Sequence, residues 1–350
     1  METNNTNTTP KPSSLRWEIL RQALLRRPSL QNSGTLSLSL SLSLSLSLSL
    51  SLSLSVIIKC CYSLICIEKI KFDFVSGEQS RIPISRRTTQ GFDLIPSQLV
   101  DKVPDSKNAR VCYTLPGASG YPKLLLSQRV DNSAADLSDF EICNRYNIDN
   151  TGLVCHWPSE DVLAFFCLSH VNMFRSKRVI ELGSGYGLAG LTIAVTTEAL
   201  EVVISDGNPQ VVDYIQHNID ANSGAFGGTI VKSMMLHWNN EDILDIFNTF
   251  DVIIASDCTF FKEFHKGLAR IVKLLLKSTG PSEAIFVSPK RGDSLIKFLE
   301  EIKKNGLHFS ITENYDAEVW KRHQMFMNGD DSWPSYDKDH CYPLLVRITL

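Results

Sequence analysis

The 350-residue sequence lacks a strong charge of either sign and lacks any cysteine spacing typical of a metal site. Its formal net charge is −3, which excludes a protein that binds nucleic acid through a globally basic surface but leaves room for a local basic patch. The nine cysteines include no Cys-x-x-Cys pair, so no metal centre is predicted. Because residues 1–14 are polar, we expect no secretory signal peptide there and reduced, intracellular thiols.

The composition changes along the chain, and from these changes we predict four regions. They are a tail at 1–33 with a short helix near 15–27, a low-complexity insert at 34–80, an accessory region with a β-hairpin at 81–150, and the main domain at 151–350. The insert holds a strict Leu-Ser alternation, which a CT dinucleotide repeat in DNA would encode indefinitely. We therefore interpret it as a disordered segment or a translated intron in the gene model. A membrane span is the disfavoured alternative, because the repeat is half serine and Lys59 interrupts the apolar stretch after it.

The stretch at residues 178–191, RVIELGSGYGLAGL, combines a short apolar strand, alternate glycines and the start of a helix. Val179, Ile180 and Leu182 are typical of a buried parallel strand. A strand that turns through glycines into a helix leaves backbone N–H groups open to a ligand. The segment also fits the GxGxxG dinucleotide fingerprint, which is a weak signal on its own. A tight turn without a ligand is the structural alternative.

Strand and helix patterns alternate through the main domain, which predicts an α/β fold with a mostly parallel, Rossmann-like sheet. Further strands are predicted at 200–205, 229–235, 250–256, 283–288, 307–313 and 343–349, and helices at 187–199, 209–221, 262–277 and 293–304. A long loop is predicted at 324–341. Upstream, we predict a hairpin over 111–130, a short helix over 138–146 and a helix over 158–170.

Four motifs follow the predicted strands in order: ELGSGYG at 181–187, SDGN at 205–208, LHW at 236–238 and FDVIIASDCTFF at 250–261. With these motifs the chain resembles the class I, seven-β-strand S-adenosylmethionine-dependent methyltransferases. Within that class it is most similar to the protein-lysine methyltransferases of the calmodulin-lysine N-methyltransferase family, over roughly residues 84–350. The resemblance implies an antiparallel C-terminal edge made by the last two strands. The [D/N]PP[Y/F] motif of nucleic-acid amino-methylating enzymes is replaced by SDCTF, so base methylation is less expected.

The resemblance implies S-adenosylmethionine as the methyl donor. The glycine turn would receive its methionine portion, Glu181 would face it through water or the loop, and Trp238 would pack its adenine. Asp206 ends a strand where a carboxylate can accept hydrogen bonds from both ribose hydroxyls, and capping the next helix is its alternative role. The full predicted cofactor set is Trp157, Glu181, Gly183, Ser184, Gly185, Tyr186, Gly187, Asp206, Trp238 and Ser256. Core packing is the alternative for both tryptophans, and Tyr186 would either close over the cofactor or lie in a flexible loop.

Asp257 is the predicted catalytic residue, because it follows the fourth strand and would accept a hydrogen bond from the target lysine nitrogen. Helix capping is its alternative role. Phe260 would line an apolar lysine channel. A basic stripe with helical spacing is formed by Lys262, Lys266, Arg270, Lys273 and Lys277. The stripe is either a solvated helix face or a docking surface, and the resemblance makes calmodulin, a very acidic protein, the expected partner.

We therefore expect methyl transfer to a lysine of calmodulin by a monomer that binds no metal, nucleic acid or membrane. The expected compartment is the cytoplasm, with the nucleus as a second one. Three alternatives stay open: a methyltransferase for another protein or a small molecule, an NAD-dependent oxidoreductase suggested by GYGLAG, and a non-catalytic module that binds calmodulin on the same fold.

Overall fold

The computed structural model describes residues 91–102, 108–116, 120–129, 148, 151–154, 157–239 and 244–350, all within the unit Pro83–Leu350. The predictions for the Leu-Ser insert and for the helices near 15–27 and 138–146 lie outside the described residues. The described part contains two sheets: a small antiparallel sheet near its start and a larger, mostly parallel one.

The small sheet has three antiparallel strands, β1 (Ser97–Lys102), β2 (Asn108–Thr114) and β3 (Lys123–Arg129). The predicted hairpin is confirmed, because β2 and β3 pair in unbroken register from Thr114–Lys123 to Asn108–Arg129. Strand β1 was missed because its two apolar residues, Leu99 and Val100, are both exposed. Without a buried face, a short edge strand shows no alternating pattern in the sequence.

The large sheet has seven strands: β4 (Arg178–Leu182), β5 (Glu201–Asp206), β6 (Ile230–Met235), β7 (Val252–Ser256), β8 (Glu283–Ser288), β9 (His308–Thr312) and β10 (Leu344–Thr349). Their order across the sheet is β6-β5-β4-β7-β8-β10-β9, and β10 runs antiparallel to both of its neighbours. This confirms the predicted mostly parallel sheet with an antiparallel C-terminal edge. From β4 the chain continues outward through β5 to β6, and it then returns to form β7 on the other side of β4. Ligands of open α/β sheets bind where the strand order reverses in this way.

Eight helices accompany these strands in the described parts of the chain: α1 (Thr151–Val154), α2 (Pro158–Ser169), α3 (Leu188–Thr196), α4 (Pro209–Asn222), α5 (His265–Leu275), α6 (Ser294–Lys304), α7 (Ala317–Met327) and α8 (Lys338–Cys341). The central strands β4 and β7 are buried on both faces, as their continuous apolar runs predict. None of the helices in these parts is long and apolar enough to span a membrane.

Two helix predictions needed correction. The predicted helix at 262–277 is a 3-10 turn, Lys262–Phe264, followed by the shorter α5. The loop predicted at 324–341 is partly helical, because α7 runs into it and α8 lies near its end. The missed signal for α7 is Asp316, whose side chain caps the helix by accepting hydrogen bonds from the N–H groups of Glu318 and Val319.

Helix α4 joins the small sheet to the large one through two asparagine side chains. The amide of Asn222 bonds both the N–H (2.9 Å) and the carbonyl oxygen (2.7 Å) of Leu125. Asn218 makes the same pair of contacts with Ser127, at 2.7 Å and 3.4 Å. The two amides thus take the place of a neighbouring strand beside β3, which holds the small sheet against the site described next.

Candidate active site

The carboxyl ends of β4, β5 and β7 surround a cavity of about 900 Å³, counting the part that is open to solvent. Its walls are formed by Ile148, Thr151, Gly152, Trp157, Glu160, Gly183, Ser184, Gly185, Asp206, Gly207, Asn208, Leu236, His237, Trp238, Ser256, Asp257, Cys258, Phe260, Phe261 and Phe264. Seven of the ten predicted cofactor residues are in this set; Glu181, Tyr186 and Gly187 are not.

The glycine turn after β4 needs glycine for both conformation and space. Gly183, Gly185 and Gly187 have φ of +59°, +58° and +81°, a region that side chains disfavour. A Cβ on Gly183 would lie 2.8 Å from the Cys258 sulfur and 3.0 Å from the Trp238 ring. The absence of a side chain therefore lets the indole of Trp238 approach the backbone at the cavity wall.

Asp206 ends β5 and its carboxylate lies at the cavity wall. Its Oδ2 accepts the N–H of Gly185 at 3.2 Å, and its Oδ1 accepts the N–H of Asn208 at 2.9 Å. Asp206 does not cap the next helix. Asn208 does so, because its side chain accepts the N–H of Gln210 at 3.0 Å at the start of α4. Asp206 is thus held in place by the two turns on either side of it.

Glu181 lies behind the glycine turn, outside the cavity wall. It is almost fully buried, and its Oε2 accepts the N–H of Gly190, in the first turn of α3, at 2.8 Å. Burial raises the pKa of Glu181 to about 8, the hydrogen bond from Gly190 opposes that shift, and the nearby Glu160 and Asp206 add to it. Glu181 therefore contacts α3 and does not line the cavity. That it faces the cofactor through water or the loop stays a prediction.

The structure corrects the interpretation of Tyr186, which neither closes over the cavity nor lies in a flexible loop. Its side chain is fully buried. The hydroxyl donates to the carbonyl of Leu153 at 3.0 Å and accepts the N–H of Arg129 at 3.0 Å. Tyr186 therefore ties the glycine turn to α1 and β3. The sequence could not show this, because both partners are distant along the chain.

Asp257 projects from the end of β7 into a buried ion pair. Its Oδ2 accepts a hydrogen bond from Arg291 Nη2 at 2.6 Å and another from the Ser159 hydroxyl at 3.3 Å. Burial raises the pKa of Asp257, while Arg291 and Ser159 both oppose that rise. The helix-capping alternative is wrong, because Phe261 occupies the N-cap of the next helical turn. Within the described residues, Asp257 Oδ1 is buried and has no hydrogen-bond partner.

Aromatic rings form a continuous wall around the cavity. Trp157 packs on Phe260 with ring centroids 6.0 Å apart, Phe260 on Phe261 at 4.7 Å, and Phe261 on Phe264 at 6.3 Å. Phe264 then contacts Trp238 at 6.0 Å. Both tryptophans and Phe260 therefore line the cavity, as predicted, while also packing against other rings. A wall of this kind excludes water and suits the aliphatic stem of a long side chain.

In the predicted basic stripe Lys262, Lys266 and Lys273 are exposed, whereas Arg270 and Lys277 are half-buried. Lys262 pairs with Asp293, and Lys273 donates to the carbonyl of Asn305 at 2.7 Å. The opposite face of α5 is buried, which agrees with a surface helix. Phe264, just before α5, lines the cavity, so the stripe begins at its rim. A docking role stays a prediction.

Two groups of site residues were missed. Thr151, Gly152 and Glu160 come from α1 and α2, and only the folded chain brings these helices to the ends of the strands. Arg291, which pairs with Asp257, was missed as well. Its signal was its position three residues beyond β8, at the same sheet edge as Asp257.

Comparison with known proteins agrees with this geometry. A family model described as lysine methyltransferase matches residues 143–305. A calmodulin-lysine N-methyltransferase of Arabidopsis thaliana is 58% identical over 345 residues, covering 98% of each chain. The protein-lysine N-methyltransferase EEF2KMT of Mus musculus is 27% identical over 183 residues, covering 49% of this chain and 54% of that one. Among solved structures, a branched-chain polyamine synthase from Thermus thermophilus has a TM-score of 0.40 and 16% identity, covering 55% of each chain.

Proposed function

This chain belongs to the calmodulin-lysine N-methyltransferase family, and we propose that it transfers a methyl group from S-adenosylmethionine to a lysine side chain of calmodulin. The observation that carries the proposal is the 58% identity to the Arabidopsis thaliana enzyme over 98% of both chains. Two more distant relatives, from Mus musculus and Danio rerio, carry protein-lysine methyltransferase names and match about half of this chain. The enzyme class therefore rests on the whole family, and the choice of calmodulin on the Arabidopsis thaliana relative.

The cavity residues fit S-adenosylmethionine. Among the residues that the structure describes, Ser184 Oγ and Asn208 Nδ2 are buried at the cavity without hydrogen-bond partners. Orphaned buried polar atoms of this kind indicate that a bound group completes them. We propose that Asp206 accepts hydrogen bonds from the ribose hydroxyls, that Trp238 packs the adenine, and that the glycine turn receives the methionine portion. When bound, the cofactor supplies an electrophilic methyl group on a positively charged sulfur.

The residues of this chain must favour the neutral form of the target lysine and orient its nitrogen. A lysine must be neutral to act as a nucleophile, and removing its proton at pH 7 costs on the order of 4–5 kcal/mol. The aromatic wall lowers that cost, because burial away from water disfavours the charged amine. We propose that Asp257 Oδ1, the unpartnered atom, accepts a hydrogen bond from the target nitrogen and directs its lone pair toward the methyl group.

For substrate docking we propose the basic stripe at the rim of the cavity. Lys266 is exposed on α5 with the partly exposed Arg270 one turn further along, and an acidic protein such as calmodulin would be attracted to this positive face. We further propose that the protein acts as a monomer, in the cytoplasm and also in the nucleus, independently of membranes and nucleic acid.

The test is transfer of labelled methyl from S-adenosylmethionine to purified calmodulin. The full chain and a variant lacking residues 34–80 would be compared, with Asp206→Ala as the control. Labelling of one lysine that disappears in the control supports the proposal. Cofactor binding by calorimetry without labelling would retain the methyltransferase and reject calmodulin. Folded protein that binds no cofactor would instead favour a non-catalytic calmodulin-binding module, and retention of a nicotinamide cofactor would favour an oxidoreductase.

A further inference from the structure

A single guanidinium contacts three residues of the cavity wall from behind. Arg291 donates to Asp257 at 2.6 Å, and its guanidinium carbon lies 4.4 Å from the Trp157 ring centroid and 5.0 Å from that of Phe260. Asp257, Trp157 and Phe260 all line the cavity, whereas Arg291 does not. The side chains of Arg291 and Asp257 are only 8% and 4% exposed, so their contact is screened little by solvent.

The backbone on both sides of this ion pair is in an unusual conformation. Asp257 has φ of +54° and Arg291 has φ of +46°, the left-handed region that residues other than glycine rarely adopt. Strained residues of this kind persist where the surrounding contacts determine them, and they cluster at functional sites. Here the strained residues are the two members of the ion pair, which points to a function for their geometry.

Further hydrogen bonds fix the two loops that carry the pair. The N–H of Arg291 donates to the carbonyl of Asp339 at 2.8 Å, just beyond the start of α8. The hydroxyl of Ser294, three residues after Arg291, donates to the carbonyls of Thr259 and Phe260 at 2.6 Å and 3.1 Å. The loops after β7 and β8 are therefore joined, and Arg291 cannot move independently of Asp257 and Phe260.

We propose that Arg291 is a positioning residue for methyl transfer, which holds the Asp257 carboxylate and the rings of Trp157 and Phe260 in the geometry that receives the target lysine. This rests on the proposed function. Arg291 occupies Asp257 Oδ2 and thereby leaves Oδ1 as the acceptor for the lysine nitrogen. By stacking on the two rings, it also holds Trp157 and Phe260 in place beside each other in the aromatic wall. It touches neither lysine nor cofactor.

The charged groups around Asp257 predict how loss of the Arg291 guanidinium would change the pKa of this carboxyl group. Helix α2 contributes Ser159 and the cavity-lining Glu160, and α8 contributes Cys341, whose pKa burial raises to about 11. Arg291 is the cation that opposes the effect of burial on Asp257. Without it, the pKa of Asp257 rises further. The carboxylate then becomes protonated at higher pH, and the acidic limb of the rate profile moves upward.

The test compares the full-length Arg291→Gln and Arg291→Lys variants, with Arg347→Gln as a matched control. Arg347, on β10, forms an ion pair of the same length, 2.6 Å, with Glu283 at the first residue of β8, and neither residue lines the cavity. We expect Arg291→Gln to lower kcat on the order of 100-fold with little change in cofactor affinity. We expect its acidic limb to move up by about one pH unit or more. Arg291→Lys keeps the charge and should retain the wild-type limb with a lower kcat.

A rate and pH profile for Arg291→Gln that match those of Arg347→Gln would overturn the proposal. Titration of the Asp257 carboxylate by ¹³C NMR, assigned with Asp257→Asn, gives a readout that requires no substrate. If wild-type protein fails to methylate calmodulin, the proposed function fails. The NMR titration still decides whether Arg291 controls the Asp257 carboxylate. An unchanged Asp257 pKa in folded Arg291→Gln would also overturn the proposal.

Discussion

Alanine at position 183 should destabilise the protein and weaken cofactor binding together. The left-handed backbone, with φ of +59°, costs a side-chain-bearing residue about 1–2 kcal/mol. The new methyl group would also meet the Cys258 sulfur at 2.8 Å and the Trp238 ring at 3.0 Å, so both neighbours must move. Overpacking of this kind typically costs about 1–3 kcal/mol. We therefore expect a loss of about 2–5 kcal/mol in the free energy of unfolding, a large part of a typical domain's stability.

A second glycine provides the control. Gly280 also has a positive φ, +87°, but a Cβ there would meet nothing within 4 Å. Gly280→Ala should therefore cost only the conformational part, about 1–2 kcal/mol. Urea denaturation of both variants, with calorimetric titration of S-adenosylmethionine, separates packing from backbone conformation. Only Gly183→Ala should lose cofactor affinity, because only Gly183 lies at the cavity and against Trp238.

The reasoning also predicts a rescue. Cys258→Ala removes the atom closest to the added methyl group, so Gly183→Ala with Cys258→Ala should be less destabilised than the two single changes together imply, by about 1 kcal/mol. Equal stability losses in Gly183→Ala and Gly280→Ala, or strict additivity with Cys258→Ala, would refute the packing argument. Unchanged cofactor affinity in Gly183→Ala would refute the placement of Trp238 at the cofactor.

Three further predictions concern residues around the site. Tyr186→Phe removes a buried hydroxyl with two backbone partners, so the free energy of unfolding should fall by about 1–3 kcal/mol while cofactor affinity stays near wild type; a selective loss of affinity would restore a direct cofactor role. The pKa of Glu181 is raised to about 8 in the folded state, above about 4.3 in the unfolded chain, so its contribution to stability should be fully present below the lower value and fall as pH rises toward 8. Glu181→Gln should therefore flatten the pH dependence of stability between these values, and an unchanged slope would contradict the burial argument. Reversing the charges of Lys266 and Arg270 should raise the KM for calmodulin steeply at low salt and little at high salt, and an effect independent of salt would indicate a solvated helix face.

Local patterns predicted the centre of the fold well. Strand β4, the glycine turn and α3 follow one another over residues 178–196, and each has its own signal: an apolar run, a glycine spacing and a helix start. The bounds of β8 match the prediction, because it is a buried strand with a polar residue at each end. By contrast, β1 is an exposed edge and α7 mixes aromatic and charged residues, so neither has a clean period in the sequence.

The site residues that could be predicted are those at the end of a strand, because their position in the sequence is enough to indicate a role. Asp206 is the last residue of β5 and Asp257 directly follows β7, and the carboxyl ends of parallel strands meet at one edge of a sheet. Tyr186 and Arg291 differ because their partners come from separate elements: Tyr186 turns inward to α1 and β3, while Arg291 crosses from the β8 loop to Asp257. Nothing in the local sequence distinguishes such residues from a loop tyrosine or a surface cation.

Arg291 shows why this difference matters for function. Strands β7 and β8 are neighbours, so their two loops lie side by side. The left-handed backbone at Asp257 and Arg291 then directs a carboxylate and a guanidinium toward each other in a buried position. A buried ion pair gives little net stability, because desolvation offsets the attraction between the charges. A stabilising role alone therefore does not account for two strained residues in this place. The position of Arg291 behind the aromatic wall gives it a role in holding Asp257 ready for the incoming amine, and the Arg291 variants test that role directly.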